Sequence, residues 1–184
     1  MILAPAARAD SVTAAPPAHD APAAKPAEPE GYRLDAYRAP VPATLRGATV
    51  LDTPAALALW REKRAVFIDA LPQPPRPAGI PKDAVFRQPP RFDVPGSVWL
   101  PDTGYGELAE PTLRYFEQGL ARAAASDKTR PLVFYCLKNC WMSWNAAKRA
   151  LTLGYVNVFW YPDGSDGWAE AGNNLELRQP EPRP

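Results

Sequence analysis

Two unbroken apolar runs limit what this chain can become: AVFIDA at 65–70 and PLVFYC at 131–136. Neither alternates apolar with polar residues, so neither suits a sheet with one face in water. Runs of this kind mark central parallel strands buried on both faces by helices. The segments between and around them supply those helices. TVLDTPAALALW reads as a short strand (49–51), then Thr53 as N-cap, Pro54 at the first helical position, and an apolar face of Leu57 and Trp60. SVWLP (97–101) is another short strand. EPTLRYFEQGLARAA has Pro111 near its start and Leu113, Phe116 and Leu120 at helical spacing. SWNAAKRALTLGY is a helix closed by Gly154, VNVFWYP a last strand, and Trp168 starts a short terminal helical turn. Strands alternate with helices, so the chain is predicted to be α/β, with a central mostly parallel sheet flanked by helices.

The chain divides unevenly. Residues 10–30 are nearly all Ala, Pro and charge and cannot bury enough apolar surface to fold. Before them, MILAPAARADSV ends in the small-x-small pattern Ala7-Arg8-Ala9 that a signal peptidase reads. Residues 1–30 are therefore expected to be a signal remnant and disordered linker, 31–178 the folded domain, and 179–184 a disordered tail. A secretory remnant places the protein in an oxidising compartment, the periplasm. The formal net charge of +1 gives no electrostatic case for nucleic acid or a membrane surface, and no apolar run approaches the ~20 residues that span a bilayer. One segment breaks the compact plan: LPQPPRPAGIPKDAVFRQPPRFDVPG (71–96), a Pro- and Arg-rich excursion. It leaves the same end of the sheet as Cys136, so the two should face each other across one pocket, where α/β folds bind ligands.

Chemistry concentrates in FYCLKNCWMSW. It holds both cysteines, Cys136 and Cys140, and two of the six tryptophans. The pair is a redox couple, half a metal site, a sulfur-carrying nucleophile, or two packed thiols. The single histidine, His19, lies in the Ala/Pro tract, so no histidine base and no second pair of zinc ligands is at hand. Trp141 and Trp144 either pack the core or wall an apolar or quinone-sized pocket. Arg76, Arg87 and Arg91 on the excursion are either a solvated face or the groups that bind an anion.

Four stretches in order resemble a rhodanese domain: AVFIDA, a strand ending in Asp69; DVPGSVWLP, with Asp93 where that family has a histidine; LVFYC, the strand that delivers the catalytic cysteine; and GYVNVFWYPDGSDGWAEAG. The resemblance spans about 50–172. CWMSWNAAKRA, GYGEL and YPDGSDGW are similar to one subfamily, the PQQ-dependent catabolism-associated CXXCW motif proteins. The resemblance implies a rhodanese-like three-layer fold with Cys136 as nucleophile, its thiol lowered by backbone N–H groups of the loop. Cys140 would resolve a persulfide or sulfenate on Cys136, and Asp69 would cap or orient the loop. Lys138, Asn139, Trp141, Ser143 and Trp144, with Arg87 and Arg91, would bind a small sulfur-containing or anionic substrate. Asn139 takes the place of a loop glycine and is expected to be left-handed. The loop lacks the family's arginine, which predicts thiosulfate as a poor donor. No cofactor and no metal is implied. The implied partner is a PQQ-dependent alcohol dehydrogenase system; the rival expectation is a catalytically silent module that binds a quinoprotein or its cofactor.

Overall fold

The computed structural model describes residues 25–183 except residue 82. The Ala7–Ala9 motif and most of the Ala/Pro tract lie outside the described residues. In chain order the elements are β1 (Thr49–Val50), α1 (Thr53–Arg61), β2 (Val66–Asp69), β3 (Arg91–Asp93), β4 (Val98–Trp99), α2 (Glu110–Ala123), β5 (Leu132–Tyr135), α3 (Trp141–Thr152), β6 (Val158–Trp160), α4 (Gly164–Glu170) and β7 (Glu176–Arg178). Five strands form one parallel sheet in the order β1-β6-β5-β2-β4.

The two apolar runs are neighbours at its centre, in register from Val66↔Leu132 to Asp69↔Tyr135. Side chains of a strand alternate between faces. Ile68, Leu132, Phe134, Val158 and Trp160 join one core with Phe116 and Leu120 of α2 and Trp144, Ala147 and Ala150 of α3. Phe67, Val133 and Tyr135 join the opposite core with Ala56 of α1 and Trp168 of α4. Both faces of β5 are thus buried, as an unbroken apolar run requires. The result is the expected α/β three-layer fold.

Local readings shift in places. The N-cap of α1 is Asp52, whose Oδ1 accepts from Ala55 N–H at 2.9 Å; Thr53 instead puts its hydroxyl 2.8 Å from that of Tyr161. Trp168 lies inside α4 rather than starting it. The 71–96 excursion contains β3, which pairs antiparallel with β7, a strand with no signal strong enough to be read beforehand. Packing also reaches beyond both expected boundaries. Glu28 accepts from the Thr44 hydroxyl at 2.6 Å and from Arg46 N–H at 2.7 Å. In 179–184, Glu181 N–H donates to Trp99 O at 2.9 Å, and Arg183 bonds Asp102 at 2.6 Å. The described part of that segment is docked on the domain, not a loose tail.

Candidate active site: a buried pair of unequal thiols

Cys136 follows β5 directly, and Cys140 is the N-cap of α3, with extended backbone (φ −128°, ψ 117°). Between them Asn139 takes φ +55°, the left-handed turn that brings the chain back onto the helix. Gly164, at φ +57°, closes the site from behind: a Cβ there would collide with the Cys136 carbonyl. That carbonyl accepts from Ser165 N–H at 2.9 Å and from the Ser165 hydroxyl at 3.3 Å. The thiols are unlinked and both are buried, with Cys136 at 0% and Cys140 at 2% exposure.

The environments of the sulfurs differ. Around Cys136 Sγ stand Ser143 Oγ at 3.2 Å, Cys140 O at 3.3 Å and Leu137 O at 3.7 Å. A thiol has one proton, so it serves one of these at a time. Carbonyl oxygens repel a thiolate; of the three, only the Ser143 hydroxyl can donate to one. Burial first, and the neighbouring Cys140 second, push the Cys136 thiol well above its usual range. Burial thus works against the expected lowering of Cys136. Cys140 goes the other way, down to about 6: the Cys136 S–H supports its negative form most, followed by the N–H groups of Met142 and Leu137 and the charge of Arg38, against an opposing cost of burial. The Cys140 side chain makes no capping hydrogen bond to α3, so the Met142 N–H acts as a nearby dipole at the positive end of that helix.

The other expected residues are placed as follows. Ser143 lies between the thiols and Trp160, whose indole N–H donates to its hydroxyl at 3.1 Å. Lys138 turns away to α4, its N–H on Asp166 and its Nζ 2.9 Å from Glu170. Trp141 and Trp144 donate to Pro40 O and Thr44 O, each at 3.1 Å, and pack edge to face with ring centres 5.4 Å apart. They anchor the N-terminal segment rather than wall a pocket. Asp69 Oδ1 caps Leu71 N–H at 2.8 Å, and its Oδ2 accepts from Arg91 Nε at 2.9 Å. Arg91 also lies 2.8 Å from Asp93 Oδ1 and 3.2 Å from Ser165 Oγ, so it supports the loop rather than meeting an anion. Arg76 binds carbonyls of its own excursion, at Pro81 and Ala84, and Arg87 is exposed. From the excursion it is Leu71 that packs against the cysteines. Among the described residues no group of three or more His, Cys, Asp or Glu side chains could hold a metal ion.

Sequence reasoning missed the cover of the site. Residues 28–46 form a strap across α3. Trp141 N–H donates to Tyr37 O at 2.8 Å, Arg38 pairs with Cys140 in an isolated antiparallel bridge, and Tyr37 packs on the cysteine cluster. Asn145 holds both backbone groups of Arg33 at 2.9 Å. The available signal was polar Asn145 and Arg149 among Trp141, Met142, Trp144, Ala146, Ala147 and Ala150 of that helix.

The chain belongs to the rhodanese-like domain family, whose model matches residues 55–171. Among solved structures it is similar to a thiosulfate sulfurtransferase from Pseudomonas aeruginosa (23% identity, TM-score 0.48, 74% of this chain and 21% of that one). It is also similar to a human single-domain sulfurtransferase (21% identity, TM-score 0.42, 67% and 96%) and to an EanB variant in complex with ergothioneine (17% identity, TM-score 0.50, 78% and 34%). The chain thus spans about a fifth of the Pseudomonas protein, and these likenesses concern the fold. A search of curated proteins finds no match. The strap lies outside the region that the family model matches.

Proposed function

We propose that this protein performs sulfur-transfer or thiol-redox chemistry at the Cys136–Cys140 pair, in the periplasm, in support of a PQQ-dependent alcohol oxidation system. One observation carries the chemistry: two free, buried thiols meet where central strand β5 ends and α3 begins. A thiolate is the nucleophile in sulfur exchange, and a neighbouring thiol is what resolves its product. Membership of the rhodanese-like family supports sulfane sulfur as the cargo. The pathway rests on the resemblance of CWMSWNAAKRA, GYGEL and YPDGSDGW, and the compartment on Ala7-Arg8-Ala9.

Incubating the protein with glutathione persulfide should add the mass of one sulfur atom to the chain, and the Cys136→Ser/Cys140→Ser double variant should gain none. Thiosulfate should load poorly, because Arg91 is engaged by Asp69 and Asp93 and Arg87 stands out in solvent. No sulfur gain, and no thiol–disulfide cycling, would leave the silent binding module as the reading. For the pathway, deleting the gene should slow growth on an alcohol while leaving growth on the corresponding acid intact. Fractionation of the producing cells should find the protein with periplasmic markers.

A further inference from the structure

We propose that the Ser143 hydroxyl, aimed by the Trp160 indole, is the hydrogen-bond donor that stabilises negative charge on the Cys136 sulfur during sulfur transfer. The proposal rests on the sulfur chemistry proposed above, with the strand-end thiol Cys136 as the nucleophile. Two carbonyl oxygens and this hydroxyl stand within reach of the Cys136 sulfur. The carbonyls can take the S–H but repel S⁻, so the hydroxyl is the one group of the three that can serve the charged form. Cys136, Ser143 and Trp160 are all buried, which strengthens a hydrogen bond to a charge and raises the cost of losing it.

The indole decides where the hydroxyl hydrogen can go. A serine hydroxyl donates one hydrogen and accepts at two lone pairs, whereas an indole N–H only donates. Trp160 Nε1 donates to Ser143 Oγ at 3.1 Å and fills one lone pair. In the resting state the Cys136 S–H can fill the other at 3.2 Å, and the hydroxyl hydrogen turns to Cys140 O, 3.5 Å away. That last bond is long and cheaply given up. When Cys136 loses its proton, the hydroxyl hydrogen swings onto the sulfur and the indole bond stays. Trp160 closes β6, paired with Phe134 of β5, and its ring lies in the same core as Trp144, so the indole is fixed in place. The titratable groups that bear on Cys136 are Cys140 at the head of α3 and Asp69 from β2; both oppose a negative charge there, and Ser143 works against them.

The charge appears in two steps. The Cys136 thiolate attacks the outer sulfur of a low-mass persulfide, R–S–SH. The donor S–S bond breaks, R–S⁻ leaves, and Cys136–S–SH remains. An acceptor thiolate, R′–S⁻, then attacks the outer sulfur of Cys136–S–SH. That S–S bond breaks, R′–S–SH forms, and Cys136 returns as the thiolate. One sulfur has moved between two thiols, and neither an oxidant nor a reductant is consumed. The Cys136 sulfur is charged at the start of the first step and at the end of the second, and the Ser143 hydroxyl meets it at both.

The test uses Cys140→Ser, in which Cys136 is the only thiol, loaded with glutathione persulfide from pH 6 to 10 and read by intact mass. On that background Ser143→Ala should move the midpoint of the pH–rate profile up by roughly one unit. Loading at pH 7 should slow only about threefold, because the more basic thiolate is also the better nucleophile. Ser143→Thr keeps a hydroxyl and should restore the midpoint. Trp160→Phe keeps a ring in the core and should shift the midpoint in the same direction. Ser143→Ala/Trp160→Phe should match Ser143→Ala alone, because the indole acts through the hydroxyl. Thermal melts identify the forms that are folded. An unchanged midpoint in folded Ser143→Ala or Trp160→Phe overturns the proposal and leaves sulfur transfer standing. So does a Trp160→Phe shift that persists in full on the Ser143→Ala background, or uptake by the unaltered protein that Cys140→Ser abolishes. No uptake by the unaltered protein overturns both.

Discussion

Burial and the neighbouring Asp69 charge push Asp93 toward its protonated form. Its side chain is fully buried, and neither carboxylate oxygen finds an aligned hydrogen bond, although Arg91 Nη2 stands 2.8 Å from Oδ1. A proton on Asp93 resolves this, because an O–H can donate to Asp69. Burial first, and the Asp69 charge second, raise the Asp93 carboxyl from 3.8 to about 9. The sign of the stability effect follows. Between those two values the folded chain holds a proton that the unfolded chain releases, so stability falls as pH rises through that window, by up to about 1.4 kcal/mol per pH unit. Asp93→Asn keeps the shape, can donate to Asp69, and has nothing to ionise. Its stability relative to the unaltered protein should be near zero at pH 4 and grow steadily toward pH 9, as read by urea denaturation at a series of pH values. A flat difference would mean that Asp93 is ionised in the folded state. The same residues show where side-chain roles resist reading. Arg91 was legible as a cation near the site, but not as one already engaged by Asp69 and Asp93. Arg38 gave no signal, because nothing in YRAP distinguishes it from any exposed arginine.

At the scale of elements, α3 explains the strap. Nine of its twelve residues are buried. A helix buried nearly all round needs cover on more than the sheet side. One side meets β5 and β6, and another meets residues 28–46, whose backbone is pinned by indole N–H groups and by Asn145. Asn145 also donates to Gly104 O at 2.9 Å, so one side chain joins α3 to the strap and to the loop before α2. Asn145→Ala removes three hydrogen bonds and should cost about 2–4 kcal/mol at roughly 1 kcal/mol each. Its sharper consequence is access: alkylation of Cys140 should accelerate under conditions where the variant is still folded. Unchanged labelling would show that the strap does not control entry to the thiols. The central strands were legible because their apolar runs are local. The β3–β7 pair was not, because RFD and ELR are three-residue segments with Phe92 and Leu177 half exposed, too short and too polar to carry a period.

For the molecule as a whole, the C-terminal segment behaves as part of the domain. Pro180 forms a parallel bridge with Trp99, Glu181 accepts from the Tyr115 hydroxyl at 2.9 Å, and Arg183 stacks over the Tyr115 ring with 4.8 Å to its centre. Ending the chain after Gln179 removes these contacts together, including the backbone bond to Trp99 at the edge of the sheet. The melting temperature should drop by roughly 4 °C, the shift that 1–2 kcal/mol produces in a chain of this size. An unchanged melt would return the segment to the status of a loose tail.

The amino-acid order by itself determined the α/β alternation, the central place of β2 and β5, and the delivery of Cys136 at the end of a strand. All three follow from hydrophobic periodicity and helix punctuation, which act over a few residues. The tertiary structure alone decided how deeply the two thiols are buried, what holds Arg91, and what covers the pair. Those properties sum burial and charge over groups brought together from residues 37–38, 69, 136–143 and 160–165. Burial and charge–charge attraction depend on distances in space, which no local pattern encodes.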